Sequence, residues 1–216
     1  NIKFKWKLGY NMYAIITDGS ISKYINHPKS VTIGDVQYPA KIFSIWTASE
    51  LAAIGIYEIT FDNSKKKDEF YYINTNQTYT YDASAGTVTA TYGDATARAH
   101  ADANATDNDG NELDPVVVIE GLKTKLIRTV KSEANNLLSQ SDWYVTRKYE
   151  KSTAIPNNIT TWRNGIRSKQ AAMETSITNA NDTPALETLY TYVNTADEGD
   201  PVVMERPLGE FPELGS

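Results

Sequence analysis

The chain has 216 residues, 40% hydrophobic and 22% charged, with a formal net charge of −6. That composition allows a packed core, and the acidic balance argues against a chain built as a whole to wrap nucleic acid. The absence of Cys excludes disulfide scaffolds, zinc ribbons, iron–sulfur centres and thiol nucleophiles, and only two His (His27 and His100) remain for metal or acid–base chemistry.

IKFKWKL in residues 1–11 alternates apolar and basic side chains, the pattern of an edge strand. This start has no apolar core of the signal-peptide kind, and no run nears the roughly 18 residues of a membrane span. In residues 11–25, Asp18-Gly19 between two apolar runs predicts a hairpin. Strands at Ser30–Ile33 and Val36–Tyr38 flank a turn at Gly34-Asp35, and Pro39 ends the second. Thr47 or Ser49 caps a short helix over Ala48–Ile54, which Gly55 stops. Strands follow from Ile56 to Phe61, at Phe70–Ile73, at Gln77–Asp82 with period two, and at Thr87–Tyr92. Ten of the 14 Tyr precede residue 93, as suits strands. Residues 1–98 therefore predict a small, mainly antiparallel β domain.

Residues 99–114, AHADANATDNDGNELD, predict an acidic linker and the domain boundary. They do not make a calcium loop: with Gly110 at position 6, Asp107 and Asp109 fall at 3 and 5, but Ala105 and Val116 fall at 1 and 12. Asp114-Pro115 predicts a helix start. Ile119, Leu122, Leu126, Val130, Ala134 and Leu137 form its apolar stripe. The helical pattern weakens at Ser141-Asp142-Trp143 and breaks at Pro156. A second stripe runs through Ile159, Trp162, Ile166, Met173, Ile177 and Ala180. Pro184 opens a third helix with Leu186, Leu189, Tyr190 and Val193 inward. Residues 115–195 thus read as a helical hairpin or three-helix unit. Residues 196–216 read as an extended acidic tail that lays apolar anchors, Phe211 among them, on a neighbouring surface. The fold class is α+β.

Charge is segregated. Residues 99–120 hold six acids and no Lys or Arg, 121–170 hold ten bases against three acids, and 171–216 hold one base against nine acids. Such blocks are either solvated faces or a head-to-tail pairing within or between subunits.

No G-x-S-x-G, H-E-x-x-H, P-loop or G-x-G-x-x-G occurs. No residue is assigned to catalysis, a cofactor or a metal, and the chain reads as no enzyme. Phe43, Trp46 and Ile54 suit a helix–turn core over the sheet. Tyr79 and Tyr81 share one face of a strand, as a platform for a sugar or as core. Leu126 and Val130 on the helix stripe read as interface positions. Trp143 and Trp162 clasp the ends of a helix hairpin, with Arg163 or Arg167 paired to Asp142 across the loop.

Two segments carry a resemblance. VTIGDVQYPAKIFSIWTASELAAIGIYEI (31–59) resembles a stretch of tailed-bacteriophage virion-associated proteins, through Tyr38, Pro39, Ile42, Phe43, Trp46, Glu50, Leu51, Ile54, Gly55, Ile56 and Tyr57. LLSQSDWYVTRKYEKSTAIPNNITTWRNGIRS (137–168) is similar to the C-terminal module of phage tail assembly chaperone-like proteins, through Leu137, Leu138, Asp142, Trp143, Pro156, Trp162, Arg163, Ile166 and Arg167. The resemblance implies a structural tail or tail-fibre protein of the virion, present in the host cytoplasm during assembly. Its implied partners are other virion proteins and further copies of itself. A tail-fibre chaperone that leaves the particle, and a module binding a host-surface glycan, are the alternatives. Nucleic acid is disfavoured, and no membrane is involved.

Overall fold

The computed structural model describes residues 11–214; the edge strand expected from IKFKWKL lies outside them. Strands and helices are both present, with an antiparallel-rich sheet in the N-terminal half and helices in the C-terminal half, an α+β fold. The chain divides into two compact units. Residues up to Glu69 with Ile73–Thr96 make a β unit, and Phe70–Tyr72 with Ala97 onward make a helical unit.

In the β unit, β1 (Tyr13–Thr17) and β2 (Ser20–Ile25) form the expected hairpin. Asp18 and Gly19 both take positive φ, 51° and 76°, the twist a tight two-residue turn requires. A second hairpin joins β3 (Val31–Ile33) to β4 (Val36–Tyr38). Two short helices follow, α1 (Ile42–Ile45) and α2 (Ala48–Ala53). Thr47 caps α2 in a reciprocal box: its hydroxyl accepts from the Glu50 N–H, and Glu50 accepts from the Thr47 N–H at 2.7 Å. The chain then runs through β5 (Ile56–Asp62), β7 (Thr78–Asp82) and β8 (Thr87–Thr91). Between them β6 (Tyr72–Ile73) pairs in a short ribbon with β9 (Thr96–Ala97). The main sheet has the order β2-β1-β5-β8-β7, antiparallel except for the β5–β8 pair.

Strand alternation gives this sheet two apolar faces. Tyr13, Ile15, Ile25 and Ile56 point to one side, where Val31, Ile42 and Leu51 from the second hairpin and the two helices cover them. Ala14, Ile59, Val88 and Ala90 point to the other. The rings of Tyr24 on β2 and Tyr79 on β7 meet at 4.8 Å, so the two edges of the sheet curl together over that second face.

Gly55 stops α2 with φ +77°, and a Cβ there would stand 2.7 Å from the Ile16 carbonyl oxygen, whose own N–H donates to the Gly55 carbonyl. Gly55→Ala is therefore expected to destabilise the β unit by about 1–3 kcal/mol, since both the backbone conformation and the close approach to β1 oppose a side chain. Urea unfolding checks this; an unchanged midpoint would mean that the α2–β5 turn relaxes freely.

The helical unit packs α3 (Leu122–Ser139), α5 (Asn157–Asn179) and α6 (Thr183–Tyr190) against one another. Leu122, Leu126, Val130 and Ala134 of α3, and Ile159, Trp162, Ile166, Met173 and Ile177 of α5, are buried. Among the described residues, no helix is long and apolar enough to cross a membrane.

The structure departs from the sequence pattern at four places. The first helix starts at Leu122 rather than Pro115: Val116-Val117-Val118-Ile119 is a β-branched run, and β11 (Val118–Ile119) pairs with β10 (Ala103–Asn104) instead. The acidic stretch 99–114 is thus no linker but part of the helical unit. The break at Ser141-Asp142-Trp143 is the start of another helix, α4 (Asp142–Lys151). Val193 lies exposed in β12 (Val193–Asn194), paired with β13 (Met204–Glu205), and is not an inward residue of α6.

Candidate functional site

The β unit carries a cleft of about 350 Å³, lined by Tyr13, Phe43, Trp46, Tyr57 and Ile56, with Asn11, Glu58, Thr60 and Thr87 at its polar margin. Phe43 leans on Tyr13 at 4.7 Å, and Trp46 meets Tyr38 edge-on at 5.8 Å, so both rings are held from beneath. Aromatic faces beside hydroxyl, amide and carboxylate groups suit a small polar ligand with an apolar side. Ile54 does not line the cleft; it packs on the core behind.

Tyr79 and Tyr81 do share a face of β7, but not as an open platform. They cover the Ala14–Ile59–Val88–Ala90 core. The Tyr81 ring meets Tyr57 at 5.1 Å and donates to the Tyr57 hydroxyl at 3.2 Å, and this bond raises the Tyr81 pKa. Leu126 and Val130 are likewise buried within the helical unit.

In the helical unit, Arg163 rather than Arg167 meets Asp142, at 2.9 Å. Arg163 is buried and also donates to the Leu138 carbonyl at 2.8 Å and the Ser141 hydroxyl at 2.7 Å. It joins the end of α3 and the start of α4 to α5. Trp162 is buried beside it with Ala134 and Ile166, and its indole N–H donates to the Pro212 carbonyl at 2.8 Å.

That last bond corrects the reading of the tail. The segment is extended, but its anchors lie on its own helical unit. Leu208 is buried and its N–H donates to Leu189, while Phe211 packs on the Trp162 cluster. Arg206 pairs with Glu210 at 2.7 Å and lies over the Tyr190 ring at 5.3 Å. Burial is the main cause that pushes the Tyr190 hydroxyl up to about 12. Tyr72 also rises to about 12, first through burial and then through the bond it donates to Glu187 at 2.8 Å, which fastens residues 70–72 to α6.

Residues 99–102 cap α3. The Leu122 and Lys123 N–H groups donate to the Ala99 and His100 carbonyls, and Asp102 accepts from the Gly121 N–H and the Thr124 hydroxyl, each at 2.8 Å. A Cβ on Gly121 would stand 2.3 Å from the Ala101 backbone, so only glycine admits this close passage. The Gly121 N–H holds the Asp102 carboxyl below its ordinary range. A carboxyl whose pKa is lower folded than unfolded stabilises the fold above its unfolded value and loses that contribution as pH falls through the folded one. Asp102→Asn is therefore expected to lower the melting temperature at neutral pH and to narrow the gap to the unaltered chain below about pH 4. A gap that stays constant down to pH 2 would show that the charge on Asp102 contributes nothing.

Three solvent-facing elements were not legible as such in the sequence. Residues 101–119 form a β-arm in which none is buried. Ala103 pairs with Ile119 and Asn104 with Val118, the Ala105 N–H donates to Val117, and the tip turns on Asp107, which accepts from the Asp109 and Asn111 N–H groups. Leu113, Val116, Val117, Val118 and Ile119 are exposed along it. A second arm, β12–β13, exposes Val193, Val202, Val203 and Met204. Helix α4 buries none of its ten residues; Trp143 is 51% and Tyr149 93% exposed. The signals were present as the VVVI run and the basic, aromatic DWYVTRKYEK, but neither carries a core stripe.

Among the described residues no group of three or more His, Asp or Glu is placed to hold a metal ion. His27 and His100 belong to different units. No protein-family model matches the chain, and no curated protein or solved structure matches it.

Proposed function

We propose that the chain is a structural component of a tailed-phage virion, associated with the tail or a tail fibre, and that it works by binding neighbouring virion proteins and further copies of itself. In this reading it acts by surface burial, performs no catalysis and needs no cofactor. Its place is the virion, with the host cytoplasm as the site of assembly. The observation that carries the reading is the β-arm 101–119, a two-stranded ribbon with four consecutive aliphatic residues exposed. Such a ribbon is marginal in water by itself and is stabilised when a partner covers it. The resemblance of residues 31–59 and 137–168 to phage proteins supplies the kind of partner. Quantitative mass spectrometry of purified particles of the encoding phage tests it. Stoichiometric presence is expected. Absence from the particle, with presence in infected-cell lysate, would replace it by the assembly-chaperone reading.

The cleft beside Trp46 favours a second reading, a contact with a host-surface glycan, because a sugar ring stacks on such an aromatic wall while Glu58 and Thr60 take its hydroxyls. Binding on a glycan array that Trp46→Ala abolishes would support it; a blank array would remove it.

A further inference from the structure

We infer that helix α4 of one copy docks on the β-arm 101–119 of a second copy, giving a head-to-tail contact. The inference rests on the assembly reading above and names the contact within it.

Steps of about 100° per residue place Trp143, Tyr144, Arg147, Lys148 and Lys151 within about 140° of the α4 circumference. That side carries three cations and two aromatic rings. The Arg147 guanidinium lies 4.8 Å from the Trp143 ring and 5.3 Å from the Tyr144 ring, and the two rings stack at 3.7 Å. The set is therefore ordered before any partner arrives, and Trp, Tyr and Arg are the residue types that dominate binding energy when a partner covers them. Of the two α4 acids, Asp142 is paired with Arg163, and Glu150 stands about 20° beyond Trp143, so the side keeps an excess of cations.

The β-arm has the opposite character. It offers aliphatic side chains from Val116 to Ile119 and the carboxylates Asp107, Asp109, Glu112 and Asp114, with no Lys or Arg between 99 and 120. Like charge disfavours one arm pairing with another, so the complementary surface is a cationic aromatic one. Helix α4 supplies it. Within one chain α4 and the arm are each exposed, so the pairing joins two copies. Each copy then keeps one free arm and one free helix, and the contact propagates until it closes a ring or extends a filament.

Charge reversal on purified full-length protein tests this without reference to the particle. Sedimentation velocity of the unaltered chain should show self-association at about 100 μM that added salt weakens. Lys148→Glu/Lys151→Glu on the helix, and Asp109→Lys/Asp114→Lys on the arm, should each weaken it about tenfold or more, with unchanged circular dichroism. An equimolar mixture of the two variants should recover association to within about threefold, because each reversed helix then faces a reversed arm. Trp143→Ala should abolish association while leaving the fold intact. A monomeric unaltered chain, a loss confined to one of the two reversals, or a mixture that stays monomeric would overturn the pairing. The last two would assign the helix or the arm to a different protein, and so leave the virion reading standing.

Discussion

Trp162→Ala is expected to destabilise the helical unit by about 3–5 kcal/mol. The side chain is 6% exposed and packs with Ala134, Ile166, Leu137, Leu138 and Phe211. Its removal leaves a cavity where α3, α5 and the tail meet, and it leaves the Pro212 carbonyl without its indole donor. Trp162→Phe keeps much of the packing and loses chiefly that hydrogen bond, so a cost nearer 1 kcal/mol is expected from the bond itself. Trp143→Ala, by contrast, removes a half-exposed ring from a helix with no buried residue and should cost less than about 1 kcal/mol. Urea unfolding followed by far-ultraviolet circular dichroism separates the three. Limited proteolysis adds a second readout, since residues 208–214 should become cleavable in Trp162→Ala and stay protected in Trp143→Ala. Equal losses for the two alanine variants would show that both rings are load-sharing in the fold and would withdraw Trp143 from the proposed surface.

The contrast between these two tryptophans shows what was readable in the sequence. Elements that bury a periodic face declared themselves. The Asp18-Gly19 hairpin, the Thr47 cap, Gly55 and the stripe from Ile159 to Ile177 each follow from local chemistry, and each stands where its residues place it. Elements stabilised at a distance did not. Helix α4 has no inward stripe, and a buried arginine from α5 pairs with its first turn. Asp114-Pro115 is a good local cap, but α3 starts at Leu122, where Asp102, 19 residues before Gly121, does that work. The acidic stretch looked like a linker because its apolar residues face solvent, and sequence does not separate a solvent-facing arm from an unstructured one. Phe43 and Trp46 pack on the core of the β unit, and that they also wall a cleft depends on Tyr13, Ile56 and Thr87, which distant strands bring beside them.

Arg163→Ala is expected to destabilise the helical unit by about 2–4 kcal/mol and to free α4 from the bundle. The guanidinium is the junction of three segments. It donates to the Leu138 carbonyl in the last turn of α3, which the Ser141 N–H also reaches at 3.1 Å, to the Ser141 hydroxyl, and to Asp142 in the first turn of α4. Ser141 is itself buried and donates to the same Leu138 carbonyl at 3.0 Å. Loss of Arg163 takes one donor from the Leu138 carbonyl, which keeps its Ser141 donors, takes the donor from the Ser141 hydroxyl oxygen, and empties the volume of the arginine stem. Asp142 is half-exposed and is resolvated by water, which keeps the cost below that of a fully buried ion pair. Arg163→Lys retains the charge without the planar fork and should recover only part of the loss. Asp142→Asn should cost less than Arg163→Ala, because the bonds to Leu138 and Ser141 remain. Hydrogen exchange distinguishes a local from a global effect. Faster exchange confined to α4 and the last turn of α3 is expected in Arg163→Lys, and uniform acceleration across α3 and α5 would mean that the arginine supports the whole bundle rather than its α4 junction.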